Sequence, residues 1–162
     1  DALLDIFVLD MLPDNEEILK RSAGEDDMMV YSIKRNLGYY DQLVRNTLQL
    51  NRGNGLFSDI ALLSGVYATD WSWTPLICDL DNDGLKDIFI TNGIWKRPND
   101  LDYVRFSSTV QKDIPELQQG DSLYNVLIDQ MPSQKLANFA FKNNGDLTFQ
   151  RSTSDWGLSQ PV

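Results

Sequence analysis

Hydrophobic and polar positions along the chain follow two rhythms. One is short and strand-like. Asp5-Ile6-Phe7-Val8-Leu9-Asp10 and Asp87-Ile88-Phe89-Ile90-Thr91-Asn92 are each an acid followed by a β-branched and aromatic run, the composition of a short buried strand. Leu48 to Phe57 and Phe139 to Phe149 each read as an alternating strand, an Asn/Gly turn and a second strand, since Asn and Gly supply the positive φ of tight hairpins. The other rhythm is helical. Asp121-Ser122 can cap a helix whose Leu123, Val126 and Leu127 share a face and which stops near Pro132. The acidic group Asp14-Asn15-Glu16-Glu17 suits a first helical turn. Met28 to Leu43 also fits a helix, but Gly38 interrupts it.

These segments recur in order: strand, long insertion, hairpin, and again strand, long insertion, hairpin. A similar tail follows each hairpin, Leu63-Ser64-Gly65-Val66 and Asp155-Trp156-Gly157-Leu158. The period is roughly 80 to 90 residues, against roughly 40 to 50 for a single propeller blade. The excess sits at one place in both copies. The first insertion runs from Met11 to about Asn46 and the second from Gly93 to about Leu136. Asp1-Ala2 aligns with Asp83-Gly84, so the chain opens inside a copy of the motif and an upstream segment is expected.

Charge narrows the chemistry. The 162 residues carry 24 acids against 14 bases, a net charge of −10. Such a field repels nucleic acid and anionic membranes, and no run approaches the roughly 20 apolar residues of a membrane span. Neither nucleic acid nor membrane insertion is expected. Histidine is absent and Cys78 is the one cysteine. The commonest general base, internal disulfides and multi-cysteine zinc sites are therefore excluded. Hard-cation binding by oxygen remains.

Asp79-Leu80-Asp81-Asn82-Asp83-Gly84-Leu85-Lys86-Asp87 carries the clearest chemistry. Four carboxylates lie within nine residues. Like charges so close disfavour one another's ionisation, whereas a calcium ion takes about six to eight oxygens at about 2.3–2.6 Å. Side chains at alternate positions of a tight loop converge. Asp79, Asp81 and Asp83 are the expected first ligands, Gly84 permits the turn, the Leu85 carbonyl points inward and Asp87 closes the shell. An EF-hand needs a bidentate Glu at its twelfth position and helical flanks. Here that position is Ile90, and the flanks Leu76-Ile77-Cys78 and Ile88-Phe89-Ile90 read as strands. The bland alternative is a solvated hairpin turn rich in Asp, Asn and Gly.

This nonapeptide with its following strand resembles an FG-GAP repeat, also described as VCBS-type, of the kind found in integrin α-subunit propellers and exported bacterial proteins. Asp70-Trp71-Ser72-Trp73 and Phe89-Ile90-Thr91-Asn92-Gly93 resemble bacterial members that often carry a C-terminal ASPIC-type domain. The resemblance implies a mainly β fold. It implies a partial β-propeller of about two consecutive blades, with two helical insertions and Ca2+ between a blade's first two strands. Residues 1–64 would then be an incomplete first blade, with strands at 5–10, 47–52 and 56–60. Residues 65–162 would hold a complete blade, with strands at 75–79, 87–92, 138–143 and 147–151 and the calcium loop at 79–87. Ala2 stands where the loop glycine is expected in the first copy, so Asp1 and Asp5 are remnants of a site there at best.

Other residues have plainer readings. Trp71 and Trp73 are expected to pack in a core, where large aromatics contribute most, while Trp95 is the better surface candidate for stacking on a sugar. Cys78 reads as a buried inert thiol. Glu25-Asp26-Asp27, Asp113 and Glu116 could in principle pair as acid and base, but no nucleophile–base constellation stands out. The expectation is a non-enzymatic binding or adhesion module of an extracellular, cell-surface or periplasmic protein, taking a protein or glycan ligand on its insertions. The alternative is an accessory carbohydrate-binding domain of a polysaccharide-degrading enzyme or uptake system.

Overall fold

The computed structural model describes residues 3–23, 27–113 and 121–161. Asp1, Ala2, Glu25, Asp26 and Glu116, singled out above, lie outside them, as does the side chain of Asp113.

The strand-like runs become two antiparallel sheets. The first orders β1 (Ile6–Val8), β2 (Thr47–Gly53) and β3 (Leu56–Asp59) as neighbours. The second is a four-stranded meander of β4 (Ser72–Cys78), β5 (Asp87–Asn92), β6 (Phe139–Asn143) and β7 (Phe149–Arg151). The helical rhythm becomes α1 (Glu16–Arg21) and α2 (Met28–Asn36) in the first insertion, and α4 (Leu101–Asp113) and α5 (Asp121–Gln130) in the second. A single turn, α3 (Ala61–Ser64), follows the first hairpin.

Local chemistry sets the helix ends. The Asn15 side chain accepts from the N–H groups of Glu17 and Ile18, capping α1, and Asp27 does the same for Met29 and Val30 of α2. Helix α2 stops short of the 28–43 expectation because Gly38 takes a left-handed φ of 85° just past its end. Asp100 caps α4 by accepting from Asp102 and Tyr103, and Leu101 to Asp113 was not anticipated as a helix.

The sequence repeat holds hydrogen bond by hydrogen bond. Ile6, Phe7 and Val8 pair with Gln49, Leu48 and Thr47. Ile88, Phe89 and Ile90 pair with Phe141, Ala140 and Phe139 in the same register. Asp5 accepts from Asn51 N–H at 2.8 Å, and Asp87 from Asn143 N–H at 2.9 Å. Asn51 Nδ2 donates to Leu4 O, and Asn143 Nδ2 to Lys86 O. Asn46 accepts from Asp10 N–H and Asn138 from Asn92 N–H, both at 2.8 Å. The tails agree: Val66 N–H donates to Ala61 O as Leu158 N–H does to Thr153 O. From Asp10 to Asn46 is 36 positions and from Asn92 to Asn138 is 46. The second insertion is thus ten residues longer, and the length difference stays outside the sheets.

The core lies between the sheets. Phe7, Leu48, Leu50, Ile60 and Val66 of the first copy pack against Ile88, Ile90, Phe139 and Phe141 of the second. Ile90, Ala61 and Val66 are fully buried, and a large aliphatic side chain so buried contributes about 1.5–3 kcal/mol. The stacking is head to tail. Phe7 and its partner Leu48 lie on the front of the first sheet and meet the back of the second. The repeat-equivalent front of the second sheet, carrying Phe89 and its partner Leu76, faces outward. It forms an apolar groove of about 400 Å³ with Leu80, Trp156 and Leu158. Likewise Ile6 and Val8, the equivalents of Ile88 and Ile90, are 49% and 53% exposed.

Two burial expectations are corrected. Trp73 is 63% exposed, because β4 is an edge strand whose outer face has no neighbour among the described residues; its indole Nε1 donates to Gly93 O at 2.7 Å. Trp71 and Cys78 are half-buried rather than core residues.

The two insertions meet. Ala23 N–H donates to Asn99 O at 2.7 Å, Ser22 bridges Asp100, and Arg21 pairs with Asp100 at 3.0 Å. Beneath this seam the buried guanidinium of Arg97 pairs with buried Asp70 at 2.7 Å. Asp70 in turn is pinned by its N–H to Leu12 O of the first insertion. No helix among the described residues is long and apolar enough to cross a membrane.

Candidate metal centre

The Asp79–Asp87 segment connects β4 to β5. It turns sharply because Asn82 and Gly84 take positive φ values of 62° and 90°. Nothing lies within 4 Å of a Cβ built on Gly84, so that position calls for glycine by its backbone angle, not by crowding. The turn folds the acids onto one another and onto their own backbone. Asp79 accepts from the N–H groups of Asp83 at 3.1 Å and Gly84 at 3.0 Å, Asp81 from Asp83 at 3.3 Å, and Asp83 from Leu85 at 2.9 Å. Asp87, fully buried at the head of β5, accepts from Leu80 N–H and from Asn143 N–H of β6, each at 2.9 Å. It ties the loop to the neighbouring hairpin.

Asp79, Asp81 and Asp87 each place one carboxylate oxygen within 4.8 Å of the other two. At metal–oxygen distances of about 2.3–2.6 Å, oxygens on opposite sides of a calcium ion stand about 4.6–5.2 Å apart, so the three fit one coordination shell. Hard carboxylate oxygens suit Ca2+, and no softer donor belongs to the cluster. Asp83 stands outside the trio, and no contact marks the Leu85 carbonyl as a donor. Instead, Asp83 pairs with the ammonium of Lys142 at 2.8 Å, and the same ammonium bonds Asp81 closely.

Lys142, on β6, is the residue that sequence reasoning missed. Its signal was faint: a cation two strands away whose repeat equivalent is Leu50. Its hydrogen bonds to Asp81 and Asp83 raise its pKa above the ordinary lysine value. Hydrogen bonding from Lys142, then from Leu85 N–H, holds the Asp83 carboxyl below the ordinary aspartate value. Asn143 was also missed as a loop partner. Its side chain accepts from Gly145 N–H and donates to Lys86 O, so it fixes the hairpin turn and the end of the acidic loop together. In the first copy, Asn51 repeats these bonds around Asp5.

Of the acids weighed earlier as acid and base, only Asp27 has a described side chain. Asp27 caps α2. Trp95 is 76% exposed, with Lys96 over its ring.

Residues 24–90 match the family model described as the FG-GAP-like repeat. The matched stretch contains the hairpin of the first copy, β4 and the whole acidic loop, and ends within β5. Neither curated proteins nor solved structures gave a match. The resemblance read from Asp79–Asp87 and its flanking strands is thus supported by an independent comparison, in which residues 24–90 are similar to an FG-GAP-like repeat.

Proposed function

We propose that this chain is a calcium-stabilised, non-enzymatic binding module of an exported protein, in which the sheets are successive blades of a propeller and the two insertions form the recognition surface. The observation that carries the calcium reading is the trio Asp79, Asp81 and Asp87, with oxygens close enough for one shell. The cation would neutralise the loop and pin the β4–β5 connection. Head-to-tail stacking supports the propeller reading, because each sheet leaves an outward apolar face equivalent to one already buried. The joined insertions support the recognition reading, since loops held on a rigid scaffold are where binding residues concentrate. Partners of this surface would be a protein or a glycan.

The test is calcium calorimetry with thermal melting in calcium and in EDTA, on the chain and on Asp81→Ala with Asp83→Ala. Binding near one equivalent, and a melting temperature that rises with calcium only in the unsubstituted chain, are expected by linkage. Equal melting in calcium and EDTA would reduce the loop to a turn.

A further inference from the structure

Among the described residues the two sheets end in four edge strands, β1, β3, β4 and β7. An edge offers unpaired N–H and C=O groups, and folded chains guard such edges with charge, proline or a bulge. Three of the four are guarded here. β3 ends in Asp59, paired with Arg45, and β7 ends in Arg151, paired with Asp14. β4 holds Pro75 and a bulge between Ser72 and Thr74. β1 has none of these devices. It is Ile6-Phe7-Val8, uncharged, free of proline and paired with β2 without a register shift.

The second copy shows what fits against such an edge. β5 is the equivalent of β1, and its outer edge is taken by β4, with Leu76 opposite Phe89 and Ile77 opposite Ile88. A strand of the same kind against β1 would set its equivalent of Leu76 opposite Phe7, on the face that meets the second sheet. That place is open. Ile88 is 1% exposed, but its cross-strand neighbour Ile77 is 47% exposed, because the first sheet ends at β1 while the second runs on to β4. A cavity of about 490 Å³ lies between the sheets, with Leu4, Leu48, Ile77, Leu85 and Ile88 in its walls. Such walls accept an apolar side chain and oppose a charged one.

From the unguarded edge and the cavity beside it we infer that β1 accepts a β-strand supplied in trans by a partner polypeptide. The strand is an extended, uncharged segment of the pattern of β4, hydrogen-bonded antiparallel to Ile6–Val8, with one apolar side chain entering the space between the sheets. Backbone pairing gives such a contact its affinity and the enclosed side chain its specificity. This edge is separate from the insertions and adds a peptide-binding surface to them.

The experiment uses the full chain, in calcium and in EDTA, with the acetylated and amidated peptide of residues 71–78 carrying Cys78→Ser, read by calorimetry and hydrogen exchange. Saturable binding near one equivalent is expected, with exchange slowed within Ile6–Val8. Leu76→Asp in the peptide should weaken binding about tenfold or more, the loss of one buried leucine. N-methylation of alternate peptide amides should abolish binding on one edge of the peptide and spare it on the other, since a strand meets β1 through one edge only. No binding, equal tolerance of methylation on both edges, or faster exchange at Asp87–Asn92, which would put the peptide in the slot of β4, would overturn the proposal. So would a dimer that protects β1 and that the peptide does not enter. Calcium-dependent melting is followed alongside. Its failure with peptide binding intact would strike the metal loop alone, whereas peptide failure with calcium stabilisation intact would strike the β1 edge alone.

Discussion

At the scale of single residues, the most consequential contact is that of Lys142 with Asp81 and Asp83. A tethered ammonium and a bound cation compete for Asp81, because an acid shared with lysine is less available to a metal. Lys142→Met is expected to lower the melting temperature in EDTA and to tighten calcium binding about two- to fivefold, the worth of a solvent-exposed ion pair. Calorimetry with paired melts checks both; unchanged affinity would show that Lys142 yields to calcium at no cost. Asp59 makes a separate case. Burial opposes its charge, but the N–H groups of Ala61 and Leu48 and the guanidinium of Arg45 at 2.8 Å outweigh that, so its pKa lies below the ordinary 3.8. A carboxylate depressed on folding contributes stability above its unfolded pKa and loses it as pH falls through its folded pKa. Asp59→Asn should therefore be less stable than the unsubstituted chain at pH 7, with the gap closing below about pH 4. Urea midpoints across that range test the sign; a gap constant with pH would assign the effect to packing.

At the scale of elements, equivalence between the copies can be measured. Asn51 and Asn143 make matching bonds at the same point of their hairpins. Replacing either by Ala should cost about 0.5–1.5 kcal/mol, the net worth of an ordinary hydrogen bond, because the partners Leu4, Lys86 and Gly145 are exposed and Gly53 is half-buried. If calcium organises the second loop, calcium should change the cost of Asn143→Ala and leave that of Asn51→Ala unaltered; urea titration with and without calcium reads both. The strands were legible in the sequence because β-branched and aromatic runs bounded by Asn/Gly turns leave little choice of register, and Asp5 and Asp87 marked equivalent positions. Helices α1 and α5 announced themselves through acidic or capping first turns. Helix α4 did not, since nothing in the sequence marks Asp100 as a capping acid and not a loop residue, and Asp100 also serves the ion pair with Arg21. The acidic loop was legible from spacing alone, but Lys142 was not, because it reaches the loop only through the pairing of β5 with β6. Trp73 was misread for a similar reason: hydrophobicity marks a residue for burial, but the place of β4 at the sheet edge decides it.

At the scale of the whole molecule, the front of the first sheet fits the back of the second, and the two surfaces are different. Contacts between unlike surfaces have no two-fold axis, so self-association through them does not stop at a pair. Copies of this chain meeting through the Phe89–Leu76 groove and the Ile6–Val8 face would add end to end, making either a closed ring of fixed number or a growing filament. Light scattering against concentration, with Leu76→Lys as the control that blocks one end, should show species beyond the dimer in the unsubstituted chain and monomer in the variant. A population halting at two would mean that an isologous contact, and not the repeat's own interface, joins the copies.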